Sequence, residues 1–350
     1  MTRNGDGPIR AVGMLSGGLD STLAACLMAS QGIEILGVNF STGLCKVDHK
    51  RIVPRNVDDP KKLRNEALRT GADLSVPVEI IDISKPYLPV ILNPKHGYGA
   101  NVNPCIDCRS FMLARAYDYM KEQDAHFVFT GEVLGQRPMS QHRQSLDIIA
   151  KESGLAGILL RPLSAQLLPA TIPEQKGWID RSRLGAISGR SRKMQMEMAR
   201  RFGIDDYPQP AGGCCYLTDE SYARKFRDRI SHGPTDEIER NDLVLLKVGR
   251  HFRLADDLKI IVSRDEPENL FLERFLDGHW WFQAKDCGSP ITLVEGEPDE
   301  KTRRFIAAVT LRYSSNRSLP RAPVECRRGD RFEVLEVEPA TDASIEPHRV

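Results

Sequence analysis

"MLSGGLDST", Met14–Thr22, decides how the rest of the chain is read. The run before it, "IRAVGML" (9–15), is short, apolar and β-branched at its start, which suits a buried strand. The run after it, "STLAACLMASQG" (21–32), has helical spacing and ends at Gly32, a C-capping residue. Ser16–Ser21 is therefore the turn from a strand into a helix N-terminus. Unpaired backbone N–H groups and the helix dipole favour an anion there. Gly17 and Gly18 let the backbone approach that anion closely, and Ser16 and Ser21 add hydroxyl donors. A Gly-Gly turn before a helix is by itself only a structural feature. The loop also lacks the Gly-Lys-Ser/Thr of a Walker loop, which argues against γ-phosphoryl transfer of that kind.

Composition sets the frame. The chain has 350 residues, 41% hydrophobic and 28% charged, with a net charge of +1, which is ordinary for a globular protein of two domains. No apolar run approaches the ~20 residues that span a bilayer. "MTRNGDGPIR" has no signal-peptide pattern, so the expectation is a cytoplasmic chain with no membrane partner. Eight cysteines in such a chain point to metal or redox chemistry before disulfides. The charge balance carries no global nucleic-acid signature, although "RSRLGAISGRSRKMQMEMARR" (181–201) and "ARKFRDR" (223–229) are basic.

Strands and helices alternate along the first two thirds. "IEILGVNF" (33–40), "LSVPVEIIDI" (74–83), "AHFVFT" (125–130) and "LAGILLRPL" (155–163) read as strands; "DPKKLRNEALRTG" (59–71) and "RSFMLARAYDYMKEQ" (109–123) read as helices. Alternation predicts an α/β fold with a parallel sheet covered on both faces, binding its ligand beyond the strands' carboxyl ends. Ser16–Ser21, Phe40 and "TGEVLGQRPMSQ" (130–141) all fall at that edge. Gly131 suits close backbone approach to a ligand at that edge. After "DRISHGPTDEIERND" (228–242) the pattern changes to a smaller α+β domain: "LVLLKVGRHFRL", "LKIIVS", "HWWFQAK" and "ITLVEG" as strand-like runs, the helix "DEKTRRFIAAVTLRYS" and a last strand "RFEVLEVE". The expected division is 1–232, 241–338 and a loose tail, 339–350.

Two cysteine sites precede helices. "NPCIDCRS" puts Cys105 and Cys108 in Cys-x-x-Cys spacing, and "PAGGCCYLTD" puts Cys214 and Cys215 after a turn. Such spacing offers two thiolates to one ion or cluster, and a helix N-terminus favours the thiolate. Half a zinc site, a redox pair and coincidence all remain open on spacing alone. Cys26 reads as core, and Cys45, Cys287 and Cys326 show no partner pattern.

With the cysteines in view, "SGGLDS", "TGEVLGQRPMSQ" and "LLRPL" together resemble the ATP-pyrophosphatase (PP-loop) superfamily, and within it the tRNA 4-thiouridine synthases that carry a Cys-x-x-Cys and a distant cysteine. "NPCIDC" is also similar to the tRNA 2-thiouridylases. The resemblance covers residues 10 to 230 and implies an adenine nucleotide α-hydrolase-like fold. It implies that ATP is cleaved between its α and β phosphates to adenylate a tRNA uridine carbonyl, the 4-position favoured, before sulfur replaces the oxygen. It places ATP on Ser16, Gly17, Gly18, Asp20, Ser21, Phe40, Gly131, Glu132 and Gln136, and Mg²⁺ at Asp20. It implies a 4Fe–4S cluster on Cys105, Cys108 and Cys214, with Cys214 preferred to Cys215, and sulfide or an external donor as sulfur source. Zinc and a Cys214 persulfide are the competing readings. The family's N-terminal tRNA-gripping region and rhodanese segment have no counterpart in this sequence. "KVGRHF", "GHWWFQAKDCGSP" and "AAVTLRYSSNR" resemble the RNA-binding domain of the NFACT proteins, implying that the second domain grips tRNA. A small-molecule amidating ligase, a redox-sensing RNA-binding protein and a homodimeric arrangement are all compatible with the sequence.

Overall fold

A computed structural model describes residues 3–4, 7–46, 53, 64–207 and 215–350. The chain divides into two compact units, 1–45 with 64–214, and 46–63 with 215–350.

In the first unit five parallel strands lie in the order β3-β2-β1-β4-β5: β1 (Arg10–Met14), β2 (Glu34–Ser41), β3 (Val78–Asp82), β4 (Phe127–Thr130) and β5 (Leu159–Leu160). The helices are α1 (Leu19–Ser30), α2 (Glu66–Leu74), α3 (Ser84–Leu92), α4 (Cys105–Glu122), α5 (Arg143–Glu152), α6 (Ile172–Gln175) and α7 (Lys193–Phe202). Two apolar cores form. One joins Leu19, Leu23 and Ala24 of α1 to Phe127 and Phe129 and to Ala199 of α7. The other joins Val12, Val38 and Val128 to Leu113 and Ala116 of α4 and Ile149 of α5. Successive side chains of β4 serve opposite cores, so the whole strand is apolar, as a doubly covered parallel strand must be. The chain leaves β1 toward β2 and returns at β4 on the other side, so the reversal of strand order lies between β1 and β4. Ligand crevices of open parallel sheets open there. The α/β parallel-sheet expectation holds; α3, α5 and α7 were not anticipated.

The second unit is built on a six-stranded antiparallel sheet, β11-β10-β8-β9-β7-β6. Its elements are α8 (Glu220–Ser231), α9 (Arg240–Leu245), β6 (Arg250–Ala255), β7 (Leu258–Val262), α10 (Glu266–Leu272), β8 (Trp280–Ala284), β9 (Thr292–Glu295), α11 (Glu300–Arg312), β10 (Ala322–Arg328), β11 (Arg331–Val337) and α12 (Asp342–Ile345). One core joins Phe282, Val324, Cys326 and Trp280 to Ile306 and Val309 of α11. A second joins Ile261 and Leu293 to Leu245, Phe271 and Leu272.

Three expectations change. The unit boundary falls at Cys214/Cys215 rather than beyond 232. Helix α8 packs into the second unit: Tyr222 Oη donates to the Leu243 carbonyl, Lys225 Nζ to those of Leu246 and Gly249, and Asp228 pairs with Arg253 at 2.8 Å. The run 243–254 is not strand throughout. Glu239 and Asp242 form a capping box that opens α9, so the first apolar residues are helical and the strand begins at Arg250. Short apolar runs do not distinguish the two states by periodicity. The tail is not loose: Ile345 is buried, the Ala340 amide donates to the Ala308 carbonyl, and the Val350 amide donates to that of His251. Strand β10 went unread because Pro323 and two terminal arginines obscure its alternation.

Candidate active site

A pocket opens at the carboxyl edge of the first sheet. Its walls include Ser16, Gly18, Asp20, Ser21, Phe40, Gly131 and Glu132 of the expected residues, together with Asn39, Arg109, Met112, Arg137, Gln141 and Arg192. The turn that begins it is closed by its own hydroxyls. Ser21 Oγ donates to the Gly18 carbonyl at 2.9 Å and lies 3.1 Å from Ser16 Oγ, while Thr22 Oγ1 donates to the same carbonyl. Gly18 is the N-cap of α1 and supplies no side-chain acceptor, so the first amides of the helix stay available for an anion.

The two glycines singled out serve mainly packing. Gly17 has φ +74°, and a Cβ there would lie 2.3 Å from the Glu66 carbonyl carbon; Gly17 does not line the pocket. At Gly131 a Cβ would lie 2.4 Å from the Ser21 amide nitrogen and 2.5 Å from the Asp20 carbonyl carbon. Gly131 thus lets the β4 loop press against the first turn of α1, which brings the two motifs together.

Asp20 sits at the centre. Its Oδ2 accepts from Gln136 Nε2 at 2.8 Å and from Arg192 Nη2 at 3.3 Å, and Gln195 Nε2 donates to Gln136 Oε1 at 3.1 Å. Asp20 Oδ1 is buried and has no hydrogen-bond partner among the described residues. Glu132, 3% exposed, gives Oε2 to Arg161 Nε at 2.9 Å, and Arg161 is anchored on the Leu146 carbonyl. Gln136 reaches the site through Asp20 and does not line the pocket itself. Three arginines, 109, 137 and 192, face two carboxylates in the pocket wall, a balance suited to a polyanion. A Mg²⁺ ion held largely by phosphate oxygens takes one or two protein carboxylates. The unpartnered Asp20 oxygen beside the phosphate-binding turn fits that donor set.

Sequence reading missed Arg109, Arg192, Arg161 and Gln141. Arg109 directly follows Cys108, and Arg161 lies inside the quoted "LLRPL", so both were in plain sight. Arg192 belongs to a basic stretch that reads as surface. The structure brings it in because the loop after β4 is tied to the segment before α7: the Gly189 amide donates to the Leu134 carbonyl, and Ser164 Oγ bridges the Leu134 amide and the Ile187 carbonyl.

Cys105 and Cys108 occupy the first turn of α4, each half-buried, and do not line the pocket. Asn103 Nδ2 donates to Cys105 Sγ at 2.8 Å. Cys214 lies outside the described residues, and among the described residues no group of three His, Cys, Asp or Glu is placed to hold a metal ion. Cys26 is buried under α1, where burial pushes its thiol up to about 11, and Cys326 is buried in the second sheet, its thiol pushed up to about 12. Neither suits nucleophilic work near neutral pH. Among the described residues, no helix is long and apolar enough to cross a membrane.

Residues 10–152, which contain β1 to α5, match the family model described as the tRNA methyl transferase HUP domain. Residues 249–349 match that of the NFACT protein RNA binding domain. Among curated relatives, the chain is 23% identical over 272 residues to the tRNA-specific 2-thiouridylase MnmA 2 of Thermoanaerobacter sp. (strain X514), covering 73% of this chain and 70% of that protein. It is 27% identical over 101 residues to the tRNA-specific 2-thiouridylase MnmA of Leptospira interrogans, covering 28% of this chain and 27% of that protein. A crystal structure of a 4-thiouridine synthetase–RNA complex with bound ATP aligns at 18% identity and a TM-score of 0.32, covering 56% of this chain and 51% of that one.

Proposed function

We propose that this chain is an ATP-dependent tRNA uridine thiolase acting in the cytoplasm. The observation that carries the reading is the unpartnered carboxylate oxygen of Asp20 at the "SGGLDS" turn, beside three arginines at the reversal point of a parallel sheet. The matched HUP and RNA-binding models and the thiouridylase relatives support tRNA as the substrate class.

In this reading the α1 amides and the Ser16 and Ser21 hydroxyls hold the triphosphate, and Phe40 meets the adenine. Asp20 would hold Mg²⁺, which when bound would supply charge neutralisation for the departing pyrophosphate. Gln136 and Arg192 fix the orientation of Asp20, and Arg192 adds a cation where negative charge collects. A uridine carbonyl oxygen is a poor leaving group until AMP is attached, so adenylation precedes sulfur entry. Cys105 and Cys108, with Cys214, form the thiolate set proposed for a 4Fe–4S cluster, which when bound would offer an open iron to hydrosulfide. Iron with acid-labile sulfide in anaerobic protein supports that set; zinc, or neither metal, replaces it with the structural-zinc or persulfide reading. The second unit, with its six-stranded sheet, is the proposed tRNA grip.

The test uses the full chain, tRNA, ATP and sulfide under anaerobic conditions. The expected result is pyrophosphate release that requires tRNA, with 4-thiouridine in the digested product by nucleoside mass spectrometry. The thiouridylase relatives favour a second reading, and 2-thiouridine in the digest would select it. Pyrophosphate release without any thionucleoside would overturn thiolation.

A further inference from the structure

The two oxygens of Glu132 are held unequally. Oε2 accepts from Arg161 Nε at 2.9 Å and from Thr130 Oγ1 at 3.3 Å. Oε1 is buried without a hydrogen-bond partner among the described residues, and the Arg109 Nε that pairs with it stands off at 4.0 Å. Gln141 lines the same pocket and is 4% exposed, and its Oε1 likewise lacks a partner. An ion pair that served packing alone would use both carboxylate oxygens, because a buried charged acceptor left unpaired is expensive. Among the described residues, no donor of the wall reaches Glu132 Oε1 or Gln141 Oε1 within hydrogen-bond distance. The Asp20 oxygen answers to a cation beside the phosphates; Glu132, set on the β4 side and gripped by Arg161, answers to an N–H.

Uracil has one ring N–H, at N3, flanked by both carbonyls. When either carbonyl oxygen attacks the α-phosphorus, an O–P bond forms and the bond from that phosphorus to the bridging oxygen breaks, so pyrophosphate leaves with the electron pair. The adjacent carbon–N3 bond becomes C=N, and N3 must give up its proton. We infer that Glu132 is the catalytic base that takes this proton on Oε1 and passes it to solvent. The step needs no oxidant or reductant, and it is the same for 4- and 2-thiolation because N3 neighbours both carbonyls. Arg161 holds the carboxylate in place through Oε2, and forming the O–P bond acidifies N3–H enough for a carboxylate to accept it. The inference rests on the thiolase reading above.

The experiment compares wild type and Glu132→Gln on two transcripts, one with uridine and one with 5-fluorouridine, whose N3–H is more acidic. Single-turnover pyrophosphate release is followed, with ATP affinity and thermal unfolding as controls. On uridine tRNA at saturating ATP, Glu132→Gln is expected to lose about 10²- to 10⁴-fold in rate. On 5-fluorouridine tRNA most of that loss should disappear. An equal loss on both transcripts overturns the assignment and leaves Glu132 as a structural partner of Arg161. Should the variant not fold, wild type decides. An enzymic base gives a rate on uridine tRNA that is level above neutrality; a rate that climbs in proportion to hydroxide refutes it. Wild type that releases no pyrophosphate with either tRNA removes the thiolase reading and this inference with it, whereas an active wild type with unrescued variant removes only the base.

Discussion

The two units bury ionisable groups in opposite ways. In the second unit two buried charged groups, Glu268 and Lys259, meet partners of opposite charge. Glu268, fully buried, accepts from the Arg264 guanidinium and from the Gly249 and Arg264 amides. Lys259, 1% exposed, lies 3.4 Å from Asp228 and 3.8 Å from Glu295. In the first unit the carboxylates of Asp20 and Glu132 each commit one oxygen to hydrogen bonds and leave the other without a hydrogen-bond partner among the described residues, and both line one pocket. Matched buried charge specifies packing; unmatched acceptors around one opening mark where a ligand must supply the missing partner. The same polar residue types therefore serve architecture in one sheet and chemistry in the other.

That contrast is sharpest at Asp20. Asp20→Ala should reduce pyrophosphate release about 10²- to 10³-fold, the range for loss of one electrostatic stabiliser, about 3–4 kcal/mol. Its effect on the unfolding midpoint should stay small, because Asp20 bonds polar side chains at a helix terminus rather than packing in an apolar core. Rapid-quench assays and urea titration measure both; full turnover in the variant breaks the comparison.

Glu268→Ala should behave in reverse. It orphans the Gly249 and Arg264 amides, each at about 1–3 kcal/mol, so the second unit should lose roughly 2–6 kcal/mol of stability by urea denaturation. ATP affinity should not change, since Glu268 belongs to the other unit and does not line the pocket. A drop in ATP affinity without loss of stability would blur the division between matched and unmatched charge.

The smallest effect concerns Lys225, whose ammonium donates to two backbone carbonyls and whose pKa burial, helped by Arg264 and Lys259, lowers from 10.5 to about 7. The folded state then binds fewer protons than the unfolded chain between those values, so stability of the second unit should rise with pH from about 7 to 10.5. Below pH 7 the penalty is fully present. Lys225→Met should flatten that slope relative to wild type in urea midpoints taken across the range. An identical slope in both would show that Lys225 is charged throughout.

Local chemistry made the first half of the fold legible. "IRAVGMLSGGLDST" announces strand, anion-binding turn and helix because period, glycine conformations and cap positions are all properties of neighbouring residues. The same holds for the parallel sheet, whose alternation of elements is visible along the chain, and for Gly131 and Glu132, which follow directly from the end of β4. The apolar run 243–246 defeated the reading because four apolar residues fit helix and strand alike, and the tail did because its anchors, Ile345 and the Ala340 and Val350 amides, meet residues far away in sequence.

What the sequence by itself determined is the strand-to-helix turn at Ser16–Ser21, the sheet it belongs to and the edge at which the pocket opens. Only the tertiary structure decided that Arg192, 172 positions beyond Asp20, bonds to that carboxylate, that Arg161 takes one oxygen of Glu132, and that α8 serves the second unit. The reason is physical. A turn or a cap is set by bonds between residues a few positions apart, whereas a partner for a buried charge is chosen by whichever element packing brings within hydrogen-bond reach, and nothing in the local pattern records that choice.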